Sequence, residues 1–424
     1  MKFSTYLLSF VVVCDYFSAA LANVILQLST LLKRIIWTIW SDTKFNSDAI
    51  LNTPEMIKEA GYPVEAHIIM TEDGYLLTLH RISGGNDSLP VLLLHGLTCS
   101  SSKWLIPGKD RAFPYLLADQ GYDVWLGNFR GTTYSKAHIF LSPSSLTFWD
   151  FSLDEMGIYD LSAMITFITN MRSQPLHTCV GHSMGTTCFY IMASERPEIA
   201  RMVKMMINFG PTVFLNHMQS PLRFLAPFRK IIRIVMQLFC HGELFCQSDF
   251  VRFLLKNICD QNIARQVCYN IMSMIWGDDR EQFDHTLQSI ILSDFLDGTS
   301  VKATEHYVQG FQSGKFRKYD YGRARNLLIY NSAEPPDYNL ANITVPSAIF
   351  YGLGDLLVNV VDVKRLYHIL PNVVDMYEVP WPKFNHLDFI WAKDAPKLVY
   401  ERAFMLMKNK NLGLMLNDII QTIK

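Results

Sequence analysis

The stretch CVGHSMGTT, residues 179–187, carries a serine between two glycines, after an apolar run and before a helix-like segment. Ser183 at its centre is typical of a nucleophile elbow, a sharp strand-to-helix turn that exposes a strained serine at the edge of a sheet. Gly181 and Gly185 would let the strand and the helix approach each other without Cβ clashes. An ordinary Gly/Ser loop is the competing interpretation, and the rest of the sequence decides between the two.

Strand-like and helix-like segments alternate on both sides of this turn. Strands are predicted at 66–82 (a hairpin turning at Asp73-Gly74), 89–97, 122–128, 202–211, 345–352 and 374–380, and helices at 112–121, 151–170 and 360–370. Continuous apolar runs such as LPVLLLHGL are typical of strands buried on both faces. The alternation predicts an α/β fold, with a mostly parallel sheet and helices on both faces, which is the context that a nucleophile elbow requires.

The alternation of strand-like and helix-like segments stops after Pro211. Helical, apolar and basic stretches such as PLRFLAPFRKIIRIVMQLF follow, and strand alternation resumes only later. We therefore predict an α/β core in two parts, residues 54–211 and 341–424. Residues 212–340 would form a cap or lid inserted over the carboxyl edge of the sheet.

The first residues have the layout of a secretory signal peptide, with Lys2 ahead of an apolar run and a small-x-small cleavage site. Residues 1–22 would be removed, leaving Asn23 as the mature start. A membrane anchor fits less well, because the apolar run is short and an aspartate interrupts it. Two sequons, at Asn86 and Asn342, agree with a glycoprotein that is secreted or lysosomal.

The seven cysteines that remain after signal removal are an odd number, which leaves at least one free thiol or an intermolecular bond. Cys259 and Cys268 are nine positions apart, and Cys240 and Cys246 are six apart, so both pairs could close small loops. The cysteines that flank the Gly-x-Ser-x-Gly turn lie in apolar segments, and we expect both to be buried thiols.

Residues 24–40, within a predicted N-terminal segment 23–53, read VILQLSTLLKRIIWTIW. Apolar side chains fall on one helical face, while Lys33 and Arg34 lie largely on the other. This pattern is typical of a helix at a membrane or lipid-droplet interface. A helix that packs its stripe on the protein body is one alternative, and a retained anchor spanning residues 6–40 is another.

Composition and motifs argue against several other functions. The 424 residues carry a formal net charge of −1 and no long basic tract, so nucleic-acid binding has little support. The sequence contains no H-E-x-x-H, paired C-x-x-C or Walker motif. Neither a metal nor a nucleotide cofactor is therefore implied.

A serine nucleophile needs a base, and the base needs an orienting acid; with a nucleophile elbow the chain order is Ser183, then Asp or Glu, then His. The histidines that remain beyond residue 355 are His368, inside a predicted helix, and His386, in a loop after a strand. Asp355 follows the preceding strand. Asp362 is the alternative acid, but it lies in the first turn of a helix, where carboxylates interact favourably with the helix dipole. We predict the triad Ser183, Asp355 and His386.

The oxyanion formed in such chemistry needs two convergent main-chain donors. One should be the N–H of Met184, directly after the nucleophile, and the other that of Leu97, in the loop after an early strand. His95 in this loop is expected to hold the loop rather than to react.

These residues and their surroundings resemble the acid lipase family of α/β-hydrolases, which includes gastric and lysosomal acid lipases and many insect digestive lipases. The match runs from about residue 54 to about residue 405. Its motifs are GYPVEAHIIMTEDGYLL, LLLHGLTCSSSKW, LADQGYDVWLGNFRG, FWDFSLDEMGIYDL, GHSMGTT, SGKFRKYDYG, PPDYNL and FNHLDFIWAKDAP. Residues 23–50 do not match the family pattern.

The resemblance implies an α/β-hydrolase fold and a lipase that cleaves the carboxylic esters of neutral lipids, triacylglycerols or sterol esters, at a lipid–water interface. It also implies the same triad and oxyanion donors, and a cap disulfide between Cys259 and Cys268. The family usually has Gln where this chain has Met184, but the donor is main chain, so the oxyanion hole should survive. Two alternatives stay open: an esterase for short soluble esters, and a non-catalytic lipid-binding or storage protein, which would be expected to lack a triad member.

Overall fold

The computed structural model describes residues 51–244, 259, 262–294 and 296–408. The predicted signal peptide, the amphipathic segment 24–40 and Cys246 lie outside these residues.

One sheet of nine strands organises the described chain, in the order β1-β2-β4-β3-β6-β7-β8-β9, with β5 paired to β2. The strands are β1 (Val64–Met70), β2 (Tyr75–Ile82), β3 (Pro90–Leu94), β4 (Asp123–Gly127), β5 (Ala137–His138), β6 (Thr178–His182), β7 (Met206–Phe209), β8 (Ser347–Tyr351) and β9 (Val373–Glu378). β1 and β2 form the expected antiparallel hairpin. The pairs from β4 and β3 through to β9 are all parallel, so the predicted mostly parallel sheet is confirmed.

The central strands are buried on both faces, which explains their uninterrupted apolar sequences. On β3, Leu92 and Leu94 join one hydrophobic cluster, while Val91 and Leu93 join the other, and all four are 0 % exposed. The neighbouring strands and the helices on each face also contribute to both clusters. The helices outside the β7–β8 connection are α1 (Thr53–Glu59), α2 (Phe113–Asp119), α3 (Leu153–Glu155), α4 (Ser162–Arg172), α5 (Met184–Glu195), α6 (Pro197–Ala200), α12 (Val360–Ile369), α13 (Asp388–Trp391) and α14 (Glu401–Lys408).

The segment 151–170, predicted as a single helix, contains a π-helical stretch, Met156–Leu161, between α3 and α4. This stretch packs closely on α5, the helix that follows the Gly-x-Ser-x-Gly turn. A Cβ on Gly157 would lie 2.6 Å from the Ile191 side chain, so the absence of a side chain there allows the close packing. The contact holds α5 against this stretch.

The chain between β7 and β8 is helical, and its described part contains no strand of the sheet. Its helices are α7 (Arg229–Cys240), α8 (Asn262–Trp276), α9 (Gln288–Asp294), α10 (Val301–Ser313) and α11 (Arg323–Tyr330). It contacts the loops at the carboxyl ends of the strands: the Asp297 N–H donates to the Thr98 carbonyl at 3.0 Å, and the Trp276 carbonyl accepts from the His386 N–H at 3.4 Å. This segment therefore packs against the edge where the predicted site residues lie.

The disulfide implied by the family resemblance is present between Cys259 and Cys268. Cys240 is disulfide-bonded as well, and its pairing with Cys246, which the sequence leaves open, lies outside the described residues. The other described cysteines are buried free thiols: Cys99, Cys179 and Cys188.

Candidate active site

Ser183 lies between the end of β6 and the start of α5 in a strained conformation. Its φ of 54° and ψ of −117° are sparsely populated by residues that carry a side chain. Two glycines make the tight turn possible. A Cβ on Gly185 would lie 2.7 Å from the Leu94 Cβ, and one on Gly181 would lie 2.7 Å from the Thr186 nitrogen. These contacts are the physical reason for the Gly-x-Ser-x-Gly pattern here.

Asp355 and His386 are brought together from two loops at the carboxyl edge of the sheet. The His386 Nδ1 lies 2.7 Å from Asp355 Oδ2, and both side chains are almost completely buried. The other carboxylate oxygen, Oδ1, accepts the main-chain N–H groups of Leu357 and Val358, each at 2.8 Å. A carboxylate held this way orients the imidazole with Nδ1 protonated, so that Nε2 is left as the acceptor.

The Nε2 atom of His386 is buried and has no hydrogen-bond partner among the described residues. A buried polar atom without a partner is unusual, and such atoms cluster at reactive sites. This is the atom that a general base would use.

The two residues set aside as alternatives have other surroundings. Asp362 accepts from the main-chain N–H of His217 at 2.9 Å and contacts its Nδ1 at 2.8 Å. His368 is exposed in the last turn of α12. Neither of them contacts His386.

His386 and Ser183 are linked through His182, the residue before Ser183. Its Nε2 lies 2.8 Å from the main-chain oxygen of His386, and the two imidazole rings are 4.9 Å apart between centroids. Gly210, at φ 56°, lets the chain after β7 pass close to the base, since a Cβ there would lie 3.2 Å from the His386 Nδ1.

The main-chain donors predicted for the oxyanion hole lie on the two loops that meet at the nucleophile. Within the described residues, the N–H groups of Leu97 and Met184 donate no hydrogen bond. A Cβ on Gly96 would lie 3.2 Å from the Ser183 Cβ, so the loop after β3 packs directly on the nucleophile.

His95 anchors this loop, as expected from the sequence. Burial lowers its pKa to about 4, so the imidazole is neutral near pH 7. Nε2 accepts the Phe129 N–H at 3.1 Å, which leaves the proton on Nδ1, 2.8 Å from the Gly96 carbonyl. Both ring nitrogens of His95 are therefore engaged, and neither is left to act as a base.

Sequence reasoning missed three buried charged groups around the site. Lys103 contacts His182, and Asp279 and Asp388 are hydrogen-bonded to each other beside the His386 loop. The available signals were a lysine within the small-residue stretch TCSSSKW and an aspartate two positions after the candidate base.

Other features of the described residues bear on function. They contain no group of His, Cys, Asp or Glu side chains suited to hold a metal ion. Across this part of the chain, no helix is both long and apolar enough to span a bilayer. The sequon asparagines, Asn86 and Asn342, are both exposed, which a glycan acceptor requires.

Comparisons with known proteins agree with this fold. Residues 53–108 match the family described as a partial alpha/beta-hydrolase lipase region, and residues 90–229 match the alpha/beta hydrolase fold. Lipase 3 of Drosophila melanogaster is 39 % identical over 86 % of this chain and 94 % of its own length. The human gastric triacylglycerol lipase is 37 % identical over 83 % and 90 %, and the human lysosomal acid lipase/cholesteryl ester hydrolase 36 % over 88 % and 96 %.

The parallel sheet, the elbow turn and these matches define an α/β-hydrolase. More narrowly, the chain belongs to the acid lipase family, since relatives of this identity match it over most of its length. It is a carboxylic ester hydrolase.

Proposed function

We propose that this enzyme hydrolyses the esters of neutral lipids, triacylglycerols or sterol esters, through a covalent acyl-enzyme on Ser183. The observation that carries the proposal is the buried Asp355–His386 hydrogen bond, with Nε2 of His386 left unpartnered. The strained turn at Ser183 is joined to the same histidine through His182. Serine is a poor nucleophile near pH 7, and this arrangement supplies both the base and the group that orients it.

In the first half of the reaction, Nε2 of His386 takes the proton of the Ser183 hydroxyl, and the serine oxygen attacks the ester carbonyl. Asp355 stabilises the imidazolium that forms without itself becoming protonated. The N–H groups of Leu97 and Met184 donate to the carbonyl oxygen as it becomes negative, and each such donor contributes about 3 kcal/mol to barrier lowering in related chemistry.

The tetrahedral intermediate then collapses, and His386 protonates the departing alcohol through Nε2. In the second half, the same nitrogen removes a proton from water, which attacks the acyl-enzyme and releases the fatty acid. Ser183 regains its proton from His386, so the cycle consumes only the ester and water.

The helical segment between β7 and β8 supports a lipid surface as the place of action. The turn Pro221–Phe228 and α7 carry exposed large apolar side chains, with Phe224 at 71 % and Leu238 at 72 % exposure. Exposed apolar patches of this kind mark sites of interaction. Lys230 of α7 is exposed and adds positive charge, and a basic amphipathic helix is typical of lipid interfaces.

The amphipathic segment 24–40 is proposed as a second contact with a membrane or lipid droplet. Deleting it should weaken binding to a triolein emulsion, while turnover of a soluble ester and thermal stability stay unchanged. If deletion lowers the melting temperature and spares emulsion binding, the segment is instead a packing element of the body.

The predicted signal peptide, residues 1–22, and the exposed sequons support passage through the secretory pathway, to the extracellular space or the lysosome. Expression in animal cells tests this directly. The mature protein should begin at Asn23, and glycosidase treatment should reduce its mass at Asn86 and Asn342.

The decisive assay compares emulsified triolein, cholesteryl oleate and a soluble butyrate ester, each across about pH 4 to 9. A lipase should turn over an emulsion at least as well as the butyrate ester. Preference for the butyrate alone would favour the soluble-ester alternative, and no hydrolysis of any ester by folded protein would favour the non-catalytic one.

A further inference from the structure

Lys103 is buried close to Ser183, and the proposed mechanism gives this lysine no role. Lys103 lies in the 3₁₀ turn Ser101–Trp104, in the same loop as the proposed oxyanion donor, and is 2 % exposed. Its Nζ lies 2.9 Å from the Nδ1 of His182. A lysine is seldom fully buried, because desolvating its charge is costly.

The hydrogen bonds of His182 fix the direction of each proton. Its Nε2 lies 2.8 Å from the main-chain oxygen of His386, and a carbonyl oxygen can only accept, so Nε2 carries a proton. Burial, together with the charge of Lys103, holds the pKa of His182 well below its usual range, so the ring is neutral. Nδ1 is therefore the acceptor, and Lys103 Nζ is its donor.

This chain of contacts ends at the proposed base. Lys103 donates to Nδ1, the nitrogen of His182 that could otherwise bind a further proton. Through Nε2, His182 in turn donates to the main-chain oxygen of His386. The titratable or charged groups that face His182 are Lys103, His386 and His95. Lys103 itself is faced by the thiol of Cys99 and, at longer range, by the carboxylate of Asp294.

The same lysine also lies close to the turn that carries the reaction. A Cβ on Gly96 would lie 3.0 Å from Lys103 Nζ and 3.3 Å from His182 Nδ1. A second positive charge on His182, 4.9 Å from the His386 ring, would oppose the imidazolium that forms when Ser183 is deprotonated.

We propose that Lys103 is a positioning residue that keeps His182 neutral and donating to the main chain of His386, and so allows His386 to accept the Ser183 proton at acidic pH. This inference rests on the proposed triad. Loss of Lys103 would free Nδ1 of His182 to bind a proton as the pH falls. The imidazole would then become cationic beside His386 and oppose the imidazolium that must form there, so this protonated form of the enzyme would turn over slowly.

The test measures kcat and KM for a soluble butyrate ester across about pH 4 to 9 in wild type, Lys103→Met and Lys103→Gln. Met keeps the length and removes the donor, while Gln restores an N–H donor without charge. Lys109→Met is the matched control, because Lys109 lies six positions further along the chain and is exposed. Melting temperatures establish that each variant folds.

For Lys103→Met we expect kcat to fall about tenfold at acidic pH and much less at alkaline pH, with KM within about twofold of wild type. Because the loss follows the protonation of His182 in the variant, the acid limb of kcat should move to higher pH, with Lys103→Gln between wild type and Met, and Lys109→Met unchanged. A profile of unchanged shape, a loss carried by KM, or full activity of Lys103→Met would overturn the proposal. If Lys103→Met does not fold, Lys103→Gln alone must show the shift.

A double-mutant cycle with His182→Gln tests whether Lys103 acts through His182. Gln keeps an N–H donor for the His386 carbonyl and has no imidazole to protonate, so adding Lys103→Met should change kcat by less than about twofold. A full additive loss would contradict the route through His182. Failure of wild type to hydrolyse any ester would contradict the proposed function instead, and Ser183→Ala is the baseline that separates the two results.

Discussion

The sheet and the helical segment between β7 and β8 use the same apolar residue types in opposite ways. Leu92 and Leu94 on β3 are 0 % exposed, whereas Phe224 and Leu238 in the connection between β7 and β8 are more than two-thirds exposed. In the sheet, apolar side chains fill two clusters and hold the strand ends rigid. In the segment between β7 and β8, by contrast, several of them face outward.

The surface of the segment between β7 and β8 also exposes charge, although other charged groups of that segment, such as Asp279, are buried. At the carboxyl edge of the sheet the charges are buried and paired, as with Asp355 and His386 or with Arg130 and Asp160. On the inserted segment, Lys230 is exposed. A rigid, dry edge suits bond cleavage, and an apolar, basic surface suits contact with lipid. The difference indicates that chemistry and interfacial binding should respond to separate substitutions.

The largest expected effect is at Ser183 itself. Ser183→Ala removes the nucleophile and should lower kcat by about 10⁶-fold, as in serine hydrolases generally. Circular dichroism and the melting temperature should stay near wild type, and binding to a triolein emulsion should persist. Residual turnover above a tenth of wild type in folded protein would contradict the assignment of the nucleophile.

Asp355→Asn should follow, with a loss of about 10⁴-fold, because the amide no longer fixes the imidazole tautomer. Asp362→Asn is the matched control, since its carboxylate contacts His217 rather than His386. We expect its turnover of a soluble ester to stay close to wild type. A larger loss at Asp362 than at Asp355 would reverse the choice of acid.

The sequence predicted the strands, the elbow and the hydrogen-bonded partner of His386, because each is set by local pattern or chain order. The parallel sheet follows from apolar runs and crossover helices, and Asp355 is favoured by the strand before it. The contacts of Lys103 with His182 and of Asp279 with Asp388 join residues 79 and 109 positions apart. Nothing local marks such pairs, since they depend on how loops from different strands meet.

A smaller effect is expected on the exposed apolar surface of the inserted segment. Replacing Phe224 and Leu238 with serine removes about 2 kcal/mol or less per side chain from contact with lipid. Binding to a triolein emulsion should weaken about tenfold, while kcat on a butyrate ester stays unchanged. Phe140→Ser is the matched control, because Phe140 is 88 % exposed on the loop after β5. Equal losses for Phe140 and the pair would show that the effect is not confined to the inserted segment.

The smallest expected effect concerns the two buried carboxyl groups that join the inserted segment to the loop of the base. Asp279 accepts from Trp381 Nε1 at 2.6 Å, and Asp388 accepts from the Asn385 N–H at 2.7 Å. Burial raises the pKa of both groups, and their mutual repulsion raises that of Asp388 further, with a smaller contribution from Asp355. As the pH rises, the unfolded chain therefore releases this proton first, and the folded state keeps it to a higher pH.

The sign of the pH dependence follows from that proton. Between the unfolded pKa of aspartate, about 3.9, and the raised folded pKa, the folded protein binds more protons, so this pair contributes less stability as the pH rises. Asp279→Asn keeps an acceptor for Trp381 and donates to Asp388 without needing a proton. Its melting temperature should match wild type near about pH 4 and exceed it by about 2 °C near pH 8. Thermal unfolding followed at both pH values measures the gap, and a gap that is constant or wider in acid would show that the pair does not share a proton.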